Sequence, residues 1–477
     1  MPRRELELPS RVTETFPPDE DSGAPSWAAA PHGDITNGPL NRTLWHLAGP
    51  AILAKALHAL LNLVDVFWVG RLGAAPTAAV TTSFFVSWVL LALTDVTAIG
   101  ILAHVARHMG AGDRQRAGHV AAQGLGLGVG LGALLAAGAW FAAPALFALL
   151  GAAPEVVRPG VVYLRVLFLA APLTFTYINC ESVMRAAGDT RSPMLVTGGM
   201  VLLNAGLAPF LIFGIGPFPR LEVLGAALAT LVAQVAAVLA FGVWALARHP
   251  SFPLDRRSFR RLDRALAQSL LRIGSPAMAI GLLFSFIYLF LSGVAARLGT
   301  LQLAVLGLAN RTESLTYLVS NGFAAATATM VGQNLGAGRP ERAERAAWWS
   351  ALWMGLYGLV LGAFLVIWPR RALGLFTSET AVFDMGADYV RVLGFCQAFM
   401  AVEIVFENAF AGAGDTLPPM LISVPMNILR VPLVLWAVRG QGAGLLGIAW
   451  ILSTTGMLRG IIAAVWFHRG DWKRRGL

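Results

Sequence analysis

The residues of this chain best suited to chemistry are ionisable groups set inside long apolar stretches, chief among them Asp65, Glu313, Glu403, Glu407, Arg430 and Arg459. A charge at the centre of a helix in hydrocarbon costs about 2.5–3.5 kcal/mol on insertion scales, so such groups are the first candidates for handling protons, ions or substrate. Asp65 stands in Leu61-Asn62-Leu63-Val64-Asp65-Val66-Phe67-Trp68. That apolar setting penalises a fixed charge and suits a carboxyl that gains and loses a proton or a cation. His58, seven residues earlier, shares its helical face, and Asn62 is close enough along the helix to hydrogen-bond to it. Glu403 and Glu407 are spaced i, i+4 on one face. His104 and His108 have the same spacing at the end of a stretch; no third ligand is evident, so they read as interfacial histidines and not as a metal site. No G-x-x-x-x-G-K-[ST] occurs, which argues against nucleotide-driven transport. Cys180 and Cys396 form no CxxC and read as small apolar side chains.

The elements that carry these groups follow from composition. Of 477 residues, 56% are hydrophobic and 13% charged, against about 25% charged in soluble domains. This excludes a multidomain soluble enzyme, and it excludes a nucleic-acid binder despite the net charge of +10. Twelve apolar segments lie near 44–69, 77–106, 118–150, 156–185, 191–215, 222–247, 270–296, 302–333, 344–374, 381–411, 417–438 and 446–468. Each reaches the roughly 20 residues needed to span a bilayer as a helix, and lipid leaves the backbone no other open option. The expected fold is an all-α polytopic membrane protein. Residues 1–43 read as a disordered tail and 469–477 as a basic tail.

Charge sets the expected orientation. With both termini in the cytoplasm, 23 of the 36 Lys and Arg fall in cytoplasmic segments and 7 in external loops, the positive-inside pattern. The expected site is a bacterial cytoplasmic membrane.

The chain repeats itself at an offset of 226 residues. Pro50 falls on Pro276, Arg71-Leu72-Gly73 on Arg297-Leu298-Gly299, Gly110-Ala111-Gly112 on Gly336-Ala337-Gly338, Glu181 on Glu407, and Gly188-Asp189-Thr190 on Gly414-Asp415-Thr416. Six helices per half return the chain to one side, so the halves are parallel repeats about an axis along the membrane normal. They divide as an N-lobe over 44–247, a linker over 248–269 and a C-lobe over 270–468. The paired Gly-Ala-Gly turns read as helix C-caps. Gly124, Gly128 and Gly132 read as a helix-packing stripe. Asp95 and its counterpart Asn321 read as interhelical hydrogen-bonders. Glu313 and Glu403 face Ser87 and Tyr177 in the repeat, and unmatched carboxylates are the better candidates for function. Pairing with Arg311 or Arg430 is the alternative.

Pro50, Asp65, Gly70-Arg71-Leu72-Gly73 and the paired Gly-Ala-Gly and Gly-Asp-Thr turns resemble the MATE (multidrug and toxic compound extrusion) family over residues 44–468. Arg311-Thr312-Glu313-Ser314-Leu315 resembles its bacterial DinF-like branch. The resemblance implies twelve transmembrane helices in two six-helix bundles forming a V, with no cofactor and no enzymatic activity. It implies antiport of organic, often cationic, compounds or toxins across the lipid bilayer, against protons or, less well matched here, Na⁺. It implies cation coupling at Asp65, with Asn204 as its neighbour, and a helix kink at Pro50. The residues themselves add Glu403 as a coupling candidate and His58, Glu313, Glu403 and Arg430 as candidates for the substrate cavity. A monomer is expected, with no nucleic-acid partner. Some relatives carry a carboxylate four residues after the position of Asn204, and others one on the seventh helix. Here these are Ala208 and nothing acidic between 270 and 296, which weakens the Na⁺ reading. Arg311, Arg430 and Arg459 leave a second expectation open, a lipid or lipid-linked oligosaccharide flippase of related architecture.

Overall fold

The structure is a computed structural model; it describes residues 32–149, 154–247, 258, 261–377 and 379–476. All twelve expected segments are helices. In chain order the elements are α1 (His32–Asn37), α2 (Leu40–Val69), α3 (Ala74–Gly110), α4 (Arg114–Leu149), α5 (Pro154–Leu169), α6 (Ala171–Ala186), α7 (Arg191–Phe213) and α8 (Glu222–Ala247). The second half follows with α9 (Arg264–Leu298), α10 (Thr300–Gly336), α11 (Pro340–Ile367), α12 (Pro369–Gly374), α13 (Thr380–Ala413), α14 (Leu417–Leu435) and α15 (Gly444–Arg469). Among the described residues, ten helices are long and apolar enough to cross a membrane, and the fourth segment is the pair α5–α6, bent by 52°. The remaining segment, α10, carries Arg311, Glu313 and several scattered threonines. It is polar because it lies inside the bundle: Thr312, Glu313, Thr316, Ser320, Thr327 and Thr329 are all buried.

The termini are more ordered than their composition suggests. Of the expected disordered tail, residues 1–31 lie outside the described residues, as do 248–257 and 259–260 of the expected linker. Residues 32–37 are helical, and Ile35 is buried against the second half. The physical reason is that Asn334 and Arg342 donate to the Ile35 carbonyl, each at 3.4 Å.

At one end of the bundle, the end carrying the arginine excess, the halves interlock. In α2, Leu44, Leu47 and Ala48 pack in a core with Phe323 and Met330 of α10 and Ala346 and Ala347 of α11. Past Pro50 the same helix joins its own half: Leu61 packs with Tyr177, Met200 and Phe241. The repeat mirrors this in α9. Leu270 packs with Ile101, Val105, Val120 and Val183 of the first half, and beyond Pro276 the residues Ile287 and Leu291 pack with Val305, Tyr389 and Ile448 of the second. Each half thus lends the start of its first helix to the other half, with a proline near the crossover. Proline removes one helical hydrogen bond and disfavours a straight path.

Close approach at this basic end depends on glycine. A Cβ on Gly110 would overlap the Gln333 carbonyl, and a Cβ on Gly336 would overlap the Arg107 carbonyl. Gly112 and Gly338, at φ 77° and 69°, serve the left-handed caps expected of both glycines in each turn. Gly110 and Gly336 instead let α3 and α10 touch. The stripe in α4 behaves as expected, since a Cβ on Gly132 would meet the backbone of Pro172 and one on Gly128 the side chain of Asn179.

Candidate functional site

Asp65 is 6% exposed and lies where α2 has rejoined its own half. Thr230 of α8 donates to Asp65 Oδ2 at 3.1 Å, with the Ala226 carbonyl at 3.2 Å as its other acceptor. Asn204 of α7, fully buried, donates from Nδ2 to Thr230 Oγ at 2.9 Å. The expected neighbourhood of Asp65 and Asn204 therefore exists, but through a hydroxyl that the sequence reading passed over. The sole signal was a threonine inside a segment of mean hydropathy 2.2. Two acceptors here, Asp65 Oδ1 and Asn204 Oδ1, are buried without a hydrogen-bond partner among the described residues. Orphaned buried acceptors cost about 1–3 kcal/mol each. A site with two of them suits a proton or a small cation.

Two neighbouring expectations are corrected. Asn62 donates to the His58 carbonyl at 3.4 Å and not to Asp65, because a helical asparagine readily reaches the carbonyl four residues back. Asn321 likewise donates to Tyr317 O at 2.8 Å within its own helix. His58 stacks on Tyr177 at 6.4 Å. Glu181 pairs with Arg185, one turn on, at 2.9 Å.

The second half holds a different set at equivalent places. The position of Asp65 is Leu291, that of Asn204 is Arg430 and that of Thr230 is Gly456. Arg430 is 4% exposed. It donates to Thr455 Oγ and Asn427 Oδ1, both at 2.8 Å, and to Leu452 O at 3.4 Å, all neutral acceptors. Glu313 accepts from the Tyr288 hydroxyl at 3.0 Å. Glu403 pairs with Arg459 of α15 at 3.2 Å, both nearly buried. The cation expected to pair with Glu313 or Glu403 was Arg311 or Arg430. Arg311 is exposed, and the packing of α15 against α13 places Arg459 beside Glu403 instead. Glu403, Glu407, Phe410, Pro419, Ile422 and Ser423 line a small cavity, and Glu403 Oε2 is a further buried acceptor without a hydrogen-bond partner among the described residues. Asp65 and Glu403 therefore belong to separate sites, one per half.

At the basic end, His104 Nε2 lies 2.9 Å from Ser269 Oγ. Arg107 donates to the Ala413 carbonyl at 3.1 Å and Gln333 to the Ala186 carbonyl at 2.8 Å, each bond crossing between halves.

The sequence pattern of the MatE family matches residues 50–210 and again 276–436, two blocks at the 226-residue offset of the internal repeat. The chain is 28% identical to an FAD transporter of Shewanella oneidensis, over 90% of this chain and 94% of that protein. It is also 28% identical to the probable multidrug resistance protein NorM of Thermotoga maritima, over 92% and 94% respectively. In three dimensions it is similar to the outward-facing conformation of a multidrug resistance MATE family transporter of the MOP superfamily, with a TM-score of 0.86 and 25% identity over 94% of this chain and all of that one. The doubled family pattern, laid over two six-helix repeats, makes this chain a member of the MatE family, a membrane transporter and not an enzyme.

Proposed function

We propose that this chain is a multidrug exporter of the cytoplasmic membrane that exchanges organic, often cationic, compounds for protons. The observation that carries the coupling assignment is the Asp65–Thr230–Asn204 set, with its two orphaned acceptor atoms. A proton on Asp65 Oδ1 gives the carboxyl a donor. Its loss leaves a buried charge supported by a hydroxyl that is shared with Ala226 O. The two protonation states thus favour different surroundings, which is what coupling requires, since a ligand of equal affinity for both states shifts nothing. Na⁺ is the less favoured ion because Ala208 supplies no second carboxylate. Glu403 is a second candidate coupling group. Glu313, His58 and Arg430 remain candidates for contact with substrate.

The arginine distribution and the likeness to an outward-facing transporter support a cytoplasmic position for the interlocked end. The sequence blocks 44–247 and 270–468 are taken as two lobes that exchange their first turns, with Pro50 and Pro276 as the flexible points. The working unit is a single copy in the bilayer.

Ethidium efflux from vesicles, driven separately by a pH or a Na⁺ gradient, tests the reading. The pH gradient alone should drive transport, and Asp65→Asn should abolish it with the protein still in the membrane. Unchanged efflux in that variant overturns the assignment. A second reading, an anionic cargo such as a lipid-linked phosphate, is favoured by Arg430, whose hydrogen bonds among the described residues all go to neutral acceptors. A lipid-flipping assay separates it from drug export.

A further inference from the structure

Equivalent aspartates at the basic end are satisfied in different ways. Asp189 caps its own helix, accepting from the Ser192 amide at 2.9 Å and hydroxyl at 2.7 Å, and from Trp244 Nε1 at 3.1 Å. For Asp415, 226 residues on, the position of Ser192 is Pro418 and that of Trp244 is Gly470. Proline has neither an amide hydrogen nor a hydroxyl, and glycine has no side chain. The Asp415 side chain is nonetheless only 3% exposed, and its partner comes from the far end of the chain: Arg475 Nη1 lies 2.8 Å away.

The route of that partner is well anchored. After α15 the backbone turns at Gly470, φ 78°, into a single 3-10 turn, Asp471–Arg474. Trp472 is 1% exposed and stacks on Phe467 at 4.5 Å, with its indole N–H on the Phe467 carbonyl. Lys473 pairs with Glu344 at 2.6 Å. Three attachments within four residues, at Trp472, Lys473 and Arg475, fix the tail to the second half. They leave the Arg475 carbonyl where Arg107 of α3, in the first half, donates to it at 2.7 Å.

We infer that Gly470–Arg475 is a latch that holds the basic end of the transporter shut, gripping Arg107 through the Arg475 carbonyl. The contact is absent from the repeat pattern: Gln333, the counterpart of Arg107, reaches one carbonyl across the halves, whereas Arg107 reaches two. Opening this end separates α3 from α13, and the tail stays with α13 and α15 because its own anchors lie there. The bond to Arg107 must therefore break on opening, and it weights the equilibrium toward the closed state. This goes beyond the coupling assignment and rests on the proposed exchange across the membrane, which requires the interlocked end to open and close.

The test is a distance distribution in lipid nanodiscs between spin labels at Arg114→Cys and Arg345→Cys, exposed positions on α4 and α11, with Cys180 and Cys396 replaced by Ser. The chain ending at Arg469 and the full chain carrying Arg107→Gln should each show a longer-distance population at least threefold that of the parent. Arg107→Gln leaves the tail and its anchors intact and removes the bond to the Arg475 carbonyl, since Gln333 at the equivalent position reaches one carbonyl across the halves, so it decides the matter where the shortened chain does not fold. An unchanged distribution in the folded Arg107→Gln protein overturns the latch, whatever its melting temperature. The readout is conformational, so a failure of proton coupling would show in efflux and leave this result standing.

Discussion

Arg107 and Gln333 occupy equivalent positions in the two repeats and make closely related bonds in opposite directions: each donates across the molecule to a carbonyl at the end of the other half's helix, Ala413 for Arg107 and Ala186 for Gln333, acceptors one residue apart in the repeat register. The two side chains differ in charge and length, yet the geometry is shared because it is set by backbone contact. Gly110 lies against Gln333 and Gly336 against Arg107. The duplication is therefore visible in the closed end as a working symmetry, two glycine contacts and two cross-molecule hydrogen bonds about one axis.

That symmetry makes a paired prediction. Gly110→Ala and Gly336→Ala each put a methyl group into backbone that cannot move without parting α3 from α10. Overpacking of this kind costs about 1–3 kcal/mol. Both variants should lower the melting temperature by several degrees and by similar amounts. Gly126→Ala, whose Cβ would meet nothing within 4 Å, should be near neutral. Thermal unfolding in detergent checks all three, and a large gap between the two first variants would argue against equivalent contacts.

Thr230 is expected to matter for coupling and little for assembly. Thr230→Val keeps the shape and removes the one hydroxyl that joins Asp65 to Asn204. Leaving their polar atoms unpaired costs about 1–3 kcal/mol. Drug efflux driven by a pH gradient should fall at least tenfold and its pH profile should move. Thr230→Ser should restore both. Equal loss in the valine and serine variants would point to packing in place of hydrogen bonding.

How much of this was legible in the sequence follows from what each feature depends on. The twelve segments and the 226-residue repeat rest on apolar length and on Gly, Pro and Asp-Thr turns, which are local properties, and both appear in the fold. The exchange of α2 and α9 between halves was not legible, because adjacency in the chain favours packing within one half and nothing in the apolar pattern names the partner surface. Thr230 was missed because a lone helical threonine ordinarily bonds its own backbone, as Thr230 also does with Ala226. The choice of Arg459 over Arg430 for Glu403 turns on the relative rotation of helices from distant parts of the chain. The carboxy-terminal residues read as a basic tail, and only the buried Trp472 shows them to be part of the core.

The Glu403–Arg459 pair predicts a non-additive pattern. Breaking a buried ion pair from one side leaves an uncompensated charge and costs about 3–5 kcal/mol. Arg459→Met should therefore be severely destabilised. Arg459→Met combined with Glu403→Gln should regain much of the loss, because no charge is stranded. Urea or thermal midpoints of the parent, the two single variants and the double variant measure the coupling. Simple additivity would mean that the two groups do not interact, despite the 3.2 Å separation.

Asp415 gives a prediction with a definite sign. Burial raises its carboxyl above the ordinary aspartate value, and the Arg475 guanidinium opposes the shift. An acid with a raised folded pKa binds its proton more tightly in the folded state, so its protonated form contributes stability that is lost as pH rises through that value. Asp415→Asn is neutral at every pH and escapes the loss. The stability of Asp415→Asn relative to the parent should therefore increase as pH rises from the acid range toward neutrality and then level off. Arg475→Ala removes the opposing charge and raises the folded value further, so in that background the rise should continue to higher pH before it levels off and be larger. Melting temperatures of the four proteins across pH 4–8 decide it. A flat difference would show that Asp415 titrates like an exposed aspartate, and a shift to lower pH on removing Arg475 would show that the guanidinium does not support the carboxylate.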